Sequence, residues 1–291
     1  VSRAARAGGV TVAVSGLGGD ELFGGSPSFR DTPRIARWLP LWHRLPAAVR
    51  RCLRAGLSRG GVRARKLADF LYYAHNAQEV AALQRRVFSE AARCPLLHPD
   101  LRTVATGQPP FHPQLEALSA ELADAGVFEM VSAWELRTYM SDVLLRDSDV
   151  MSMRHSLELR VPFIDRPLIE WLWHQPARFK ENAVHPKSAL IAAVSDLLPP
   201  EVLRRKKQGF TLPFAIWMRN ELRPFLEETF SSASASRSGF FAASAVQSFW
   251  LNFLKSSDTR RWSRVWSLAV LIAFVNRLPV RPQHEHTSAL S

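Results

Sequence analysis

The sequence predicts an α/β chain that is mostly helical, the helical half of a fold whose parallel sheet lies mostly upstream. Three observations lead there. One β-branched run, Val10 to Val14, has the composition of a buried strand and opens into a glycine-rich loop, Ser15 to Gly25. Almost everything after that loop carries helical rather than alternating patterning. The 291 residues are 47% hydrophobic and 22% charged, with 9 Trp and 17 Phe, which suits a sizeable core and excludes a disordered chain.

Taken in order, the stretch before the loop is too short for a βαβ unit of ~30 residues, so a fragment or processed product is expected. Residues 31–115 read as an irregular helical layer broken by Pro33, Pro40, Pro46, Pro95, Pro99 and Pro109-Pro110. Glu129 to Ser156 reads as one or two long buried helices carrying Trp134, Leu136, Tyr139, Leu144 and Leu145. Val161 to Asp165 is a break, and Arg166 to Trp173 resumes as helix. Pro186 suits the first position of a helix over Lys187 to Leu198, which Pro199-Pro200 stops. Ser231 to Ser238 lies in a Ser/Ala-rich stretch, 231–245, read as a loop. The last helix, about Arg260 to Arg277, is apolar on most faces and is expected to be buried. Residues 279–291 form a loose tail.

Composition excludes several functions. Cys52 and Cys94 are far apart and fit neither a disulfide scaffold nor a zinc ribbon. The longest apolar stretch, Val265 to Val275, is short of the ~20 residues that span a bilayer. No signal peptide is visible. A soluble, cytoplasmic chain without membrane partners is expected. Residues 1–66 hold 13 Lys+Arg against 3 Asp+Glu, a net +10 of the chain's +12. The segment from Arg34 to Lys66 could face an anion or nucleic acid. It lacks aromatic–basic interleaving, and Val49, Leu53 and Leu57 recur at helical spacing, so a solvated helical face is the better reading.

The loop carries the chemistry. Glycines let a backbone approach a ligand closely, and exposed amides favour anions. Asp20 and Glu21 are out of place in a phosphate-friendly turn unless a divalent cation lies between carboxylate and phosphate, as Mg²⁺ typically does. A dinucleotide fingerprint would need glycine at Glu21, a Walker loop Gly-Lys-Ser/Thr, and a nucleophile elbow glycine at Ala13. The nine histidines show no metal-ligand spacing, and His155 reads as a packed helix residue.

Four blocks in order give the chain a family likeness. Ser15-Gly-Leu-Gly-Gly-Asp-Glu-Leu-Phe-Gly-Gly25 resembles the second nucleotide-site motif of the glutamine-hydrolysing asparagine synthetases. Ser141-Asp142, Asp149, Met151-Ser152-Met153 and Ser156-Leu-Glu158-Leu-Arg160-Val-Pro-Phe-Ile-Asp165 agree with it. So do Lys187, Leu198-Pro199 and Arg205-Lys206-Lys207-Gln208-Gly209-Phe210, and then Arg260-Arg261-Trp262-Ser263-Arg264-Val265-Trp266. The blocks span residues 10–275.

The resemblance implies the C-terminal portion of a synthetase domain of the ATP-pyrophosphatase (adenine nucleotide alpha hydrolase-like) class. Residues 1–230 would be part of that domain and 246–278 its C-terminal helices. It implies ATP-dependent activation of the aspartate carboxylate as an acyl-adenylate, followed by attack of ammonia from an upstream glutaminase domain. Asp20 is then the Mg²⁺–pyrophosphate ligand, and Ser15, Gly16, Leu17, Gly18 and Gly19 line the nucleotide site. Lys207 holds pyrophosphate or the transition state. Glu158 deprotonates the amine or recognises the substrate amino group, and Arg160 orients it. Set against those roles, Asp20 could be a helix cap, Glu158 and Arg160 a structural ion pair buried under Trp171, and Lys207 solvated surface. Lys187 and Asp149 read as buried ion-pair scaffold. A homodimer is allowed for.

Departures bound the likeness. The family's first ATP motif, Ser-Gly-Gly-x-Asp-Ser, and its N-terminal cysteine nucleophile lie upstream in relatives and are not in this sequence, so the chain by itself is expected not to turn over ATP. Leu17 stands where many asparagine synthetases carry an acid, and Ser26 replaces a frequent Tyr. The alternatives are a relative amidating or cyclising another carboxylate, as β-lactam synthetases do, and a non-catalytic remnant or assembly subunit.

Overall fold

The computed structural model describes residues 1–105, 114–180, 186–203 and 212–278. They divide into two compact units. The first comprises residues 1–52, 70–85 and 110–207, the second 53–69, 86–109 and 208–291.

In the first unit, strand β1 (Val12–Val14) pairs in parallel with strand β2 (Glu158–Arg160), Val12 opposite Glu158 and Val14 opposite Arg160. The ladder extends past both ends: Glu158 N–H donates to Thr11 O at 2.9 Å and Ser15 N–H to Arg160 O at 2.8 Å. The expected strand is therefore present but not buried, with Val12 39% and Val14 73% exposed. Among the described residues this two-stranded pair is the whole sheet, and no further strand covers either face.

Helices Pro27–Ala36, Ala77–Gln84, Gln114–Glu121 and Val127–Glu135 belong to the same unit. Their inward residues include Ala81, Leu118, Met130, Val131 and Trp134. A second cluster joins Leu22 and Phe23, just after the glycine loop, to Leu172 and Ala189. Val127–Glu135 continues as a π-helix, Leu136–Leu145, and then as helix Arg146–Met153. The long helix expected here exists, but it is continuously buried only from Met130 through Glu135, with Thr138, Met140 and Ser152 buried farther on. Val143, Val150, Met151 and Met153 are exposed because no described element packs over them.

Arg166–Trp173 is helical as expected. The next helix is shorter than expected, Ser188–Val194: Lys187 takes the left-handed conformation at φ 60°, which places the start after it and leaves Pro186 outside the helix, and the helix ends at Val194, four residues before Leu198. Pro200 does not stop a helix. It opens one, Pro200–Leu203, at the first-turn position where its missing N–H costs nothing.

The second unit is built around Met218, Leu226, Phe230, Val246, Phe253 and Ile272. The Ser/Ala-rich stretch is not all loop: Ser232–Ser236 is a helical turn, with Ser231 Oγ accepting from Ser234 N–H at 3.2 Å, and helix Ala243–Lys255 starts inside it. The last helix, Trp262–Val275, buries Val265, Leu268 and Ile272. Its other face is open, with Val270, Leu271 and Phe274 about half exposed, so it is buried on one side only. Helix Ala47–Arg59 buries no residue, in keeping with a solvated basic face. No helix among the described residues is long and apolar enough to cross a membrane.

Candidate functional site

Parallel pairing brings two distant sequence blocks together. The loops leaving the C-terminal ends of β1 and β2 are Ser15–Gly18 and Val161–Asp165, and they touch. Gly18 has φ 90°, and a Cβ there would lie 2.7 Å from Ile164 Cγ2 and 3.3 Å from Phe163 Cβ. Both its conformation and its space demand glycine. Gly19, the first residue of helix Gly19–Leu22, lies as close to the Phe163 ring, 3.2 Å from a built Cβ. Gly16 differs, since a Cβ there would meet no atom within 4 Å. Ser15 Oγ accepts from Leu17 N–H at 3.3 Å, closing the turn, and Leu17 is half-buried.

Asp20 and Glu21 are adjacent on that short helix and face different surroundings. Asp20 Oδ1 is 2.5 Å from Lys187 Nζ, and each side chain is about one-third exposed (33% and 32%). A Cβ at Gly25 would run into Asp20 Oδ1 and Lys187 Cε, so only glycine leaves room for the pair. Gly25 N–H also donates to Asp20 O at 2.8 Å. Glu21 is buried, and burial raises its carboxyl above the ordinary range. Ser132 Oγ donates to Glu21 O at 2.8 Å.

Behind this loop lies a buried ionic group. Glu135 is fully buried, accepts from Ser28 Oγ at 2.7 Å, and is gripped by Arg85 through Nε at 2.8 Å and through Nη2. The Arg85 guanidinium lies 3.8 Å from the Tyr139 ring centroid. Lys180 and Glu129 form another buried pair.

Glu158 and Arg160, two apart on β2, share one face of the strand. Arg160 Nε donates to Glu158 Oε1 at 2.7 Å. The pair is exposed, 55% and 65% for the side chains, and Trp171 is itself 52% exposed, so a buried ion pair under Trp171 is not what forms. Asp149 is exposed too, not part of a buried pair. Lys187 is paired, but at the loop rather than in a scaffold. Lys207 and its basic neighbours lie outside the described residues. The sequence therefore singled out Asp20 and Lys187, the latter as an ion-pair residue, but not their pairing with each other or the space at Gly25. Neither carries a local signal, because the three meet only when the chain folds.

Among the described residues no three His, Cys, Asp or Glu side chains gather into a metal cluster. Asp20 stands as a single carboxylate beside a lysine, a donor set that suits a magnesium ion whose remaining ligands are phosphate oxygens and not a metal held by protein alone.

The sequence profile described as asparagine synthase matches residues 1–276. The chain belongs to the asparagine synthase family. The asparagine synthase match takes in both strands, the glycine loop and Lys187, and ends one residue beyond the last helix. The chain is similar to asparagine synthetase [glutamine-hydrolyzing] 1 of Bacillus subtilis (strain 168), 29% identical over 222 residues, which is 75% of this chain and 33% of the relative. It is also similar to a putative asparagine synthetase [glutamine-hydrolyzing] of Mycobacterium tuberculosis (strain ATCC 25618 / H37Rv), 27% identical over 270 residues, or 90% of this chain and 39% of the relative. A third relative is amidase chry2 of Gibberella zeae, 24% identical over 153 residues, covering 50% of this chain and 23% of that protein. The chain thus spans between 33% and 39% of the length of these two curated asparagine synthetases. No solved structure matches it.

Proposed function

We propose that this chain supplies the pyrophosphate-handling part of an ATP-dependent amidating site of the ATP-pyrophosphatase class. The observation that carries the reading is the Asp20–Lys187 pair, held by Gly25 beside a loop whose open side is Gly16. In the proposed reaction a carboxylate oxygen attacks the α-phosphorus of ATP, and pyrophosphate leaves. Ammonia from a glutaminase region of the protein then attacks the acyl carbon, AMP leaves with the bonding pair, and the nitrogen gives up a proton.

Each residue has a role in that scheme. Magnesium held by Asp20 and phosphate oxygens would offset charge on the departing pyrophosphate. Lys187 balances Asp20 before the nucleotide arrives and turns to the phosphates when it does. Lys207 adds a second point charge for pyrophosphate. Ser15 to Gly19 line the nucleotide. Glu158 takes the amine proton or holds the substrate ammonium group, and Arg160 fixes its carboxylate. Aspartate is the first candidate substrate, given the asparagine synthetase relatives. A second reading, another carboxylate, is favoured by Leu17, whose apolar side chain contacts no ammonium group, and by the likeness to an amidase.

Calorimetry with magnesium pyrophosphate tests the shared part of both readings. Asp20→Asn and Lys187→Met are each expected to weaken binding tenfold or more, about 1.4 kcal/mol, with the thermal midpoint nearly unchanged because both side chains are partly exposed. Undiminished binding, or a fall in midpoint that accounts for the loss, would mark the pair as scaffold.

A further inference from the structure

The second unit holds a partly open cavity of about 400 Å³ that shares no residue with the loop site. It is walled by helix Val62–Tyr73, residues 86–96, helix Ala243–Lys255 and the start of helix Trp262–Val275. Five cations line it, Arg65, Lys66, Arg86, Arg261 and Arg264, and no carboxylate does among the described residues. Arg86 is answered by Asp69 at 3.4 Å and Glu90 at 3.0 Å. Arg65 and Arg264 are answered less fully. Among the described residues Arg65 Nε is buried without a hydrogen-bond partner, and Arg264 Nε donates to a neutral carbonyl, Val87 O at 3.2 Å. Burial, and to a lesser degree the neighbouring Arg261, lower the Arg264 pKa, and Asp258 offsets them only in part. Asp69, Glu90 and Asp258 stand outside the lining and offset part of this charge, and gathering like charges around a partly desolvated hollow favours an anion inside it. The Phe88 and Phe249 rings, 5.8 Å apart, line the same hollow with Leu96 and Val265 as its apolar part.

We propose that this cavity binds a small organic anion, its phosphate or carboxylate head held by Arg65, Arg261 and Arg264 and its aromatic or branched apolar body laid against Phe88 and Phe249. Three guanidiniums offer the fork geometry that such heads accept in pairs of hydrogen bonds. A hollow this size takes a small molecule and is mostly apolar with a few convergent polar groups, as ligand pockets are. The site is independent of the amidating reading, since it shares no residue with it.

The test is calorimetry on the 291-residue chain with phenyl phosphate, benzoate, inorganic phosphate and benzyl alcohol. Phenyl phosphate or benzoate is expected to bind at least tenfold more tightly than benzyl alcohol and inorganic phosphate, and the tighter of the two assigns the head group. Arg65→Gln and Arg261→Gln should each weaken that binding at least fivefold, and Arg65→Lys and Arg261→Lys by less. Arg237→Gln, which removes the same charge from an exposed position of the same unit, should change it less than twofold. Asp20→Asn should leave it unchanged, which separates this site from the loop. The proposal falls if no organic anion binds, if benzyl alcohol or inorganic phosphate binds as tightly, or if Arg237→Gln weakens binding as much as Arg261→Gln.

Discussion

Gly16 and Gly18 stand two residues apart and are glycines for different reasons. Gly18 is required by the fold, through φ 90° and the side chain of Ile164 at 2.7 Å from a built Cβ. Gly16 meets nothing within 4 Å, so the described fold does not require it, and the proposed nucleotide would. Gly18→Ala should therefore cost about 1–3 kcal/mol in a urea titration. Gly16→Ala should stay within about 0.5 kcal/mol of the parent, as surface changes do, while weakening MgATP binding severalfold. Unchanged nucleotide binding by Gly16→Ala would remove the loop from the nucleotide site. This contrast also shows what was legible in the sequence at this scale. Ser15 to Gly25 are consecutive, so the motif could be read directly. The pairing of Lys187 could not, because nothing in Pro186-Lys187-Ser188 says that its amine meets Asp20.

At the scale of elements, helices were readable and strand pairing was not. Arg166–Trp173 follows from its apolar spacing. Ser188–Val194 starts one residue later than expected because Lys187 leaves the helical region, and it ends four residues before Leu198. Glu158-Leu-Arg160 has no strand composition, yet it becomes β2 because its backbone meets β1. Glu135 was hidden in the same way, as a charge among Val131, Trp134 and Leu136 on a helix otherwise read as apolar. Its burial is tolerable because Arg85 and Ser28 satisfy it. Arg85→Ala leaves that carboxylate buried and unpaired. The expected loss is about 3 kcal/mol, at the low end for a broken buried pair because Arg85 is one-third exposed. Glu135→Gln with Arg85→Met should lose less than the two single changes added, since the unpaired charge is gone. A double-mutant cycle by chemical denaturation reads this, and simple additivity would deny the pair its role.

Over the whole molecule, the family match runs through both units, while each has its own hydrophobic core. A two-stranded sheet is marginal alone, and Val12 and Val14 remain exposed on it, so the first unit owes its order mainly to helix packing and to the loop anchored by Gly18. Ligand binding should report on that division. A ligand present at 100 times its dissociation constant adds about 2.7 kcal/mol to the unit that holds it, which slows amide exchange there by about a hundredfold. Magnesium pyrophosphate is therefore expected to slow exchange in β1, in β2, in the loop amides from Gly18 to Gly25 and in helix Ser188–Val194. Helices Ala243–Lys255 and Trp262–Val275, which complete a separate core, should exchange as before. Phenyl phosphate should produce the opposite pattern. Hydrogen exchange followed by mass spectrometry gives both profiles from one preparation. Equal slowing everywhere by either ligand would show one cooperative body, in which case protection could not locate a site. Protection of β1 and β2 without helix Ser188–Val194 would place pyrophosphate away from Lys187 and break the proposed pairing of that lysine with Asp20 at the phosphates.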